Sequence, residues 1–537
     1  MGSKKVDNKG KKSLAKIAGI VAIATLISKI FGLIREQIVA AAFGVGAVVN
    51  AYAYAYVIPG FLLILLGGIN GPFHSALVSV LAKRNQKEAA PLVETITTLV
   101  TGVLLLVTII LIVFAEKFID ILAPGLQDNI RSLAILQLQI MAPLAIFAGL
   151  IGIGFGTLNA SEEYWLPSIS PLFSSVTIVV GVGGLFLFLG EKTDAPEYAK
   201  LGSIVLASTT LAGGIWQWIV QQIAQIKTGI GGLKLRFDFR QEGVADVIKV
   251  MIPATLSSGM LHINVYTDLY FASYIENAAA AMRYANFIVL TPLGIISNMI
   301  LVPFLPIFSR LSTPDNWDEL KTRIRQGLVL TALTMLPLTA IFMALARPIV
   351  SLIYERGVFR EAESAVVAPV LFAYGLGMFF YLGRDVLVRV FYALGDGNTP
   401  FKISVINIFL NAFLDYIFVK PFATQGLIYA TIGVNLFSMA TMLIILHKRL
   451  KGFPLTQWGF IFAGLTIATV ASGFGCGSFY SLFSSIFGDT TLMLKLIDIL
   501  ISCLVGLGVF LIICLPLRLT ELEILFSRLG IKFFRKG

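Results

Sequence analysis

LAKIAGIVAIATLISKIFGLIREQIVAAA, residues 14–42, is apolar over a length that can cross a bilayer as a helix, yet it carries Lys29 and Arg35 in its second half. Spanning the hydrocarbon takes about 20 mostly apolar residues in a helix. A charge at that depth costs roughly 2.5 to 3.5 kcal/mol on insertion scales, so it survives by facing a protein-lined or watery interior. Arg384 and Arg389 interrupt a later apolar stretch in the same way. An interior with several cations attracts an anion.

Outward from that stretch the whole chain reads as a polytopic membrane protein: 57% of residues are hydrophobic, 13% are charged, and the mean hydropathy is +0.87. About fourteen apolar stretches follow one another, near 14–42, 48–82, 90–114, 132–158, 165–189, 200–226, 245–275, 279–309, 326–346, 363–393, 400–419, 424–447, 457–486 and 491–516. Their length and continuity predict helices rather than a barrel. The basic tail 1–13 stays in the cytoplasm by the positive-inside rule, and an even number of spans returns the basic tail 517–537 to the same side. The net charge of +11 is spread over short loops, which excludes a nucleic-acid surface. The first stretch is too long for a signal-peptide core and is read as a retained helix. Cys476, Cys503 and Cys514 lack CxxC spacing, so they suggest packing and not a disulfide framework or zinc site.

An internal repeat organises the spans. Pro59 and Pro292, Ala160 and Ala393, and Pro167 and Pro400 are each 233 residues apart, at helix ends or breaks with similar surroundings. The predicted architecture is all-α: an N-lobe of six spans at 14–226, a cytoplasmic linker at 227–243 and a C-lobe of six at 244–447. A final pair follows at 448–516. Six spans per copy keep both lobes in one orientation, related by a pseudo-two-fold axis along the membrane normal, with a site between them. The Tyr52, Tyr54, Tyr56 alternation lies in a span and is expected on a helix broken at Pro59.

SKIFGLIREQIVAAAFG at 28–44, YVIPG at 56–60, NGPFHSALV at 70–78, YERGVF at 354–359 and RVFYALGDGNTP at 389–400 together resemble the lipid II flippases, the MurJ (formerly MviN) family of the multidrug/oligosaccharidyl-lipid/polysaccharide exporter superfamily. The resemblance covers nearly the whole chain, and the last two segments are the most specific. It implies two six-helix lobes around a cation-lined cavity, a final helix pair forming a groove for the lipid tail, and alternating access that carries the peptidoglycan precursor outward across the bacterial inner membrane. The substrate it implies is an undecaprenyl-diphosphate-linked saccharide, with membrane lipids and the cell-wall synthesis machinery as further partners.

A diphosphate suits these cations, because Arg offers a planar fork and Lys a point charge. Arg35 is the first choice for diphosphate contact, Lys29 the second, and Arg384 and Arg389 follow. The alternative for each is a buried ion pair, with Glu36 and Asp385 as available acids, or snorkelling toward an interface. The chain also departs from the family pattern. Asn50, a cavity position, stands where an Asp commonly opens the second span; Leu62, Leu63 and Ile64 stand where a pair of Arg is usual; and Ala285, Asn286 and Phe287 replace an ADR segment. Arg283, one turn before Phe287, is either a substitute cation or a plain interfacial Arg.

A second constellation is oxygen-rich. Asn411 and Asp415 share a helix face at i, i+4, Asp268 lies in the seventh span and Thr431 in the twelfth. Such ligands suit a hard cation. By the resemblance they match a sodium site, with the Leu427 carbonyl as a further ligand; the open alternatives are proton coupling or a polar packing network. His74 and His262 read as packing residues, and the glycines of GIGFG (152–156) and GVGG (181–184) as close helix contacts, since no strand precedes them and no Lys-Ser/Thr follows. No nucleophile, metal cluster or acid–base pair has catalytic spacing, and no cofactor beyond a coupling ion is implied. The expected function is a lipid II flippase, not an enzyme; the alternatives are a flippase for another polyprenyl-diphosphate-linked saccharide and a cation-coupled multidrug antiporter.

Overall fold

The computed structural model describes residues 3–67, 72–81, 86–260, 263–488 and 491–522. Among them the regular structure is all helical, with no strand beyond a single bridge between Arg356 and Phe359. The chain divides into two compact units, one of residues 1–280 with 356–359, the other of residues 281–355 with 360–537. Residues 244–280, which the sequence assigns to the second lobe, therefore fall with the first unit.

The first unit holds α1 (Ser3–Phe43), α2 (Ala47–Gly67), α3 (Pro72–Leu81), α4 (Gln86–Val113), α5 (Ala115–Leu122), α6 (Asp128–Met141), α7 (Leu144–Ala160), α8 (Trp165–Ile169), α9 (Pro171–Leu189), α10 (Ala199–Thr228), α11 (Val244–Met260) and α12 (Ile263–Ala272). The chain enters the second unit along α13 (Ala278–Arg310), followed by α14 (Trp317–Ala344), α15 (Ala346–Tyr354), α16 (Glu361–Ala393), α17 (Asn398–Phe422), α18 (Thr424–Arg449), α19 (Leu455–Phe487) and α20 (Leu492–Cys514). Eleven helices among the described residues are long and apolar enough to cross a membrane, and the bent pair α6–α7 makes twelve. The fourteen spans expected from sequence are thus counted only in part: 14–42, which lies in α1, and 245–275, which appears as two shorter helices, are not among the twelve. The 42° bend between α6 and α7 falls at Pro143, whose ring nitrogen cannot continue the hydrogen-bond ladder. At Pro59 the expected break is absent; α2 runs through it to Gly67. Tyr52 and Tyr56, four apart on α2, stack at 5.2 Å before that proline, and the Tyr52 hydroxyl, 3.0 Å from Thr210 Oγ1 of α10, adds a tertiary contact to the same helix.

The repeat is written into the backbone as well as the sequence. The α6–α7 pair runs from Asp128 to Ala160 and α16 from Glu361 to Ala393, so both ends recur at an offset of 233. Left-handed backbone positions recur at the same offset: Gly44 (φ 53°) with Asn277 (φ 59°), Glu162 (φ 61°) with Gly395 (φ 71°), and Gly190 (φ 59°) with Ala423 (φ 48°). Glu163 N–H donates to the Leu158 carbonyl at 2.9 Å, and 233 residues later Asp396 N–H donates to that of Phe391 at 2.9 Å. α19 and α20 have no counterpart and pack on each other and on α14.

Lipid-facing surfaces are apolar. α4 exposes Val103, Leu105, Leu106, Ile109, Ile110 and Val113, a face that water would not tolerate as a continuous patch. Between helices, where lipid gives no hydrophobic drive to associate, small residues allow close approach. A Cβ on Gly152 of α7 would lie 2.0 Å from the Leu66 carbonyl oxygen of α2, which bears out the packing role of the GIGFG glycines.

Candidate functional site

Arg35 and Glu36 are neighbours on α1, and both the Nε (3.1 Å) and Nη2 (2.8 Å) of Arg35 donate to the single oxygen Oε1 of Glu36. Glu36 is buried, whereas the Arg35 side chain keeps 25% of its surface exposed. Two of the five guanidinium N–H donors are thereby committed and three remain for another acceptor. Lys29, six residues earlier on the same helix, is exposed. These two cations stand about 9 Å apart along the axis, a ladder and not a single clamp.

In the second unit, Arg384 projects from α16 between α17 and α18. Its donors reach Ser438 Oγ, Ser404 Oγ and Asp385 Oδ1, each at 3.4 Å. Such long bonds hold the guanidinium by three weak contacts on three helices. Arg389, half-buried on α16, makes no hydrogen bond among the described residues. Arg283 is half-buried near the start of α13, between the buried Met282 and Tyr284. Leu63 is half-buried, Ile64 is exposed, and Phe287 is half-buried, so the three uncharged substitutes occupy ordinary helix positions.

Asn50 has a specific local reason to be an amide. Its Nδ2 donates to the Val45 carbonyl (2.6 Å), the Gly46 carbonyl (3.2 Å) and Asn277 Oδ1 (2.9 Å), while its Oδ1 accepts from Ala280 N–H (3.1 Å). A carboxylate there would supply no donor. The side chain ties the α1–α2 turn to the α12–α13 turn, and both turns carry the left-handed residues Gly44 and Asn277.

The oxygen constellation is met in pieces. Asn411 and Asp415 are fully buried on α17, with Asn411 Nδ2 donating to Asp415 Oδ2 at 2.8 Å. Leu427 is fully buried on α18, which packs on α17, and Thr431 lies one turn further, its carbonyl accepting from Asn435 Nδ2 at 2.7 Å. Asp268 lies on α12, in the first unit. The donor set suits a hard cation in kind, but the Asn411 amide presents its nitrogen to the carboxylate. Among the described residues no group of three or more His, Cys, Asp or Glu is arranged to hold a metal.

The two most specific sequence segments are structural fasteners. In YERGVF, the Tyr354 hydroxyl donates to the Tyr284 carbonyl at 3.2 Å, and Glu355 accepts from Ser364 Oγ at 2.9 Å and lies 3.5 Å from Lys495 Nζ. Gly357 (φ 58°) sits where a Cβ would meet the Ala41 carbonyl oxygen at 2.5 Å, and Val358 N–H donates to that oxygen at 2.9 Å. In GDGNTP, Asp396 accepts from Thr399 N–H (3.1 Å), Thr399 Oγ1 (2.8 Å) and Arg449 Nη1 (3.0 Å). Burial pushes the Asp396 carboxyl up, but these donors outweigh it and hold it below its ordinary value.

His74 Nε2 is 2.8 Å from Asn159 Nδ2, a packing contact between α3 and α7; His262 lies outside the described residues. Two acids buried within apolar spans went unremarked in the sequence. Glu94 on α4 pairs with Arg236 Nε at 3.3 Å, and Asp498 on α20 accepts from Ser502 Oγ at 3.1 Å. Their signal was available: each is a lone acid inside an apolar run.

Comparisons with known proteins bear on the whole chain. Residues 39–496 match the family described as Lipid II flippase MurJ. The probable lipid II flippase MurJ of Synechocystis sp. is 60% identical over 527 residues, covering 98% of this chain and 99% of the relative. That of Rhizobium meliloti is 28% identical over 431 residues, covering 78% of each. Among solved structures, a lipid II flippase MurJ in an inward closed conformation superposes with a TM-score of 0.72 at 23% identity, covering 95% of this chain and 99% of that one. An inward-facing multidrug resistance MATE transporter of the MOP superfamily superposes at 0.59 and 14% identity over 81% of this chain and 98% of its own, a likeness of fold alone. With a family match across most of its length and a relative identical at three positions in five, this chain belongs to the lipid II flippase MurJ family.

Proposed function

We infer that this multi-pass membrane protein is a transporter and not an enzyme: it translocates lipid II, the lipid-linked peptidoglycan precursor, from the inner to the outer leaflet of the cytoplasmic membrane by alternating access. Family membership over nearly the full chain carries this reading. Both termini lie in the cytoplasm, as the basic tails favour, and the cell-wall synthesis machinery receives the product.

Arg35 is the residue best equipped to meet the diphosphate. Its ion pair with Glu36 fixes the guanidinium in place while leaving three donors for phosphate oxygens, the bidentate chemistry at which Arg excels. Lys29 adds a second positive charge on the same helix. Arg389 and Arg283 are proposed as further cations on the substrate's path; Arg384 serves more as a helix fastener, given its three serine and aspartate contacts.

The pairing dictates the experiment. Removing Arg35 alone takes the ion-pair partner from a buried Glu36, which destabilises the fold and confounds loss of binding with loss of folding. Arg35→Ala combined with Glu36→Gln removes that penalty. In cells depleted of their own flippase, the double variant should reach the membrane at the parental level and fail to relieve precursor accumulation, whereas Glu36→Gln alone should retain activity. A double variant that restores growth fully would refute the role of Arg35; a parent chain that does not relieve accumulation would refute the substrate.

A further inference from the structure

Between α10 and α11 the chain runs through GLKLRFDFRQ, residues 232–241, without helix or strand. Apolar and charged residues alternate, and every large apolar side chain is exposed: Leu233 at 66%, Leu235 at 78%, Phe237 at 69% and Phe239 at 44%. The segment is nevertheless held in place. Arg236 N–H donates to Thr98 Oγ1 at 3.0 Å and its Nε lies 3.3 Å from Glu94, fastening the middle of the segment to α4. The rings of Phe237 and Phe239 meet edge to face at 6.1 Å.

Two constraints locate such a segment. Four adjacent exposed Leu and Phe side chains are unfavourable in bulk water. The main-chain N–H groups of Leu233, Lys234, Leu235, Phe237 and Asp238 have no protein partner among the described residues, so the hydrocarbon interior is equally forbidden. The headgroup layer satisfies both, since it hydrates the backbone and accepts the side chains. The cations decide which headgroups: Lys227, Lys234, Arg236 and Arg240 outnumber Asp238 and Glu242, and Glu94 already answers Arg236. Basic residues at that depth attract anionic lipid.

We propose that residues 233–240 form an interfacial anchor that inserts Leu233, Leu235, Phe237 and Phe239 below the headgroups and binds anionic phospholipid through Lys234 and Arg240. The anchor fixes the connection between α10 and α11 to the membrane surface and makes no demand on the transported substrate.

The test uses the full chain in lipid nanodiscs, with Phe237→Trp as the probe and the unsubstituted chain as the fluorescence background. Lipids brominated beside the glycerol backbone should quench the added tryptophan more than lipids brominated at the chain ends. Replacing a quarter of the phosphatidylcholine with phosphatidylglycerol should strengthen that shallow quenching, and Lys234→Gln with Arg240→Gln should abolish the increment while leaving quenching in phosphatidylcholine unchanged. Insensitivity to both brominated lipids, or stronger quenching from the chain ends, would overturn the interfacial placement. Absence of the phosphatidylglycerol increment in the Phe237→Trp chain, or its persistence when Lys234→Gln and Arg240→Gln are added to it, would overturn the anionic preference. None of these outcomes touches the transport reading, which complementation tests separately.

Discussion

At the scale of single residues, Asn50 shows how a departure from family pattern has a local physical cause. Its amide donates to two carbonyls and to Asn277, and accepts from Ala280, with 3% of the residue exposed. Asn50→Asp replaces the donating group by an acceptor facing the Val45 oxygen, 2.6 Å away in the present geometry. The expected cost is about 3 kcal/mol, from lost hydrogen bonds and a carboxyl buried against carbonyl dipoles. A thermal unfolding comparison in detergent checks this, with Asn50→Ala as reference; an Asp variant as stable as the parent would mean that the turn has another anchor. The sequence marked Asn50 as unusual but could not give the reason, because two of its partners, Asn277 and Ala280, lie 227 and 230 residues away. Arg35 was likewise legible as a buried cation, and Glu36 as its available acid. What sequence could not decide is that both donors would fall on one oxygen and leave the rest of the guanidinium free.

Elements and the turns between them carry two further expectations. Ala423 adopts φ 48° and ψ −129° between α17 and α18, a conformation open to glycine and strained for any residue with a Cβ. Its repeat partner is Gly190 at φ 59° and ψ −138°. Ala423→Gly should therefore raise the unfolding midpoint, by about 1 kcal/mol of relieved strain less the entropy glycine restores to the unfolded chain; an unchanged or lowered midpoint would show that neighbouring contacts absorb the strain. The α16–α17 turn is acid-sensitive in a defined sense. Burial tends to raise the Asp396 carboxyl, but Thr399 and Arg449 together depress it. A depressed acid contributes stability that is present above its unfolded pKa and lost as pH falls through the folded one. Protection of the 394–400 amides from hydrogen exchange should thus hold at neutral pH and fail only below about pH 4. Asp396→Asn should be loosened at all pH values and show no such fall. Helix identity was legible almost everywhere from apolar length, and the repeat from three residue pairs. Helix continuity was not: α2 passes through Pro59, and its Tyr52 contact with Thr210 of α10 comes from packing that no local pattern encodes.

For the molecule as a whole, coupling to an ion is the open quantity. Asn411 and Asp415 form a buried, hydrogen-bonded pair on α17, with Leu427 and Thr431 on the adjoining α18. If sodium drives transport, the buried oxygens of Asn411 and Asp415 are its candidate ligands. Precursor translocation should then be several-fold faster in sodium than in choline, and Asp415→Ala should erase that difference; equal rates in both salts for the parent would dismiss sodium. The recurrence of backbone bends at a constant spacing carries a consequence of its own. Because residues as unlike as Glu162 and Gly395, or Gly190 and Ala423, occupy the same bend in each half, ancestry has conserved the path of the chain more strictly than its chemistry. Each half is thereby a natural library for the other. Grafting 158–164 in place of 391–397, or the reverse, should yield chimaeras that fold, and the chemistry each turn then lacks would identify what the two copies have come to do differently since they parted.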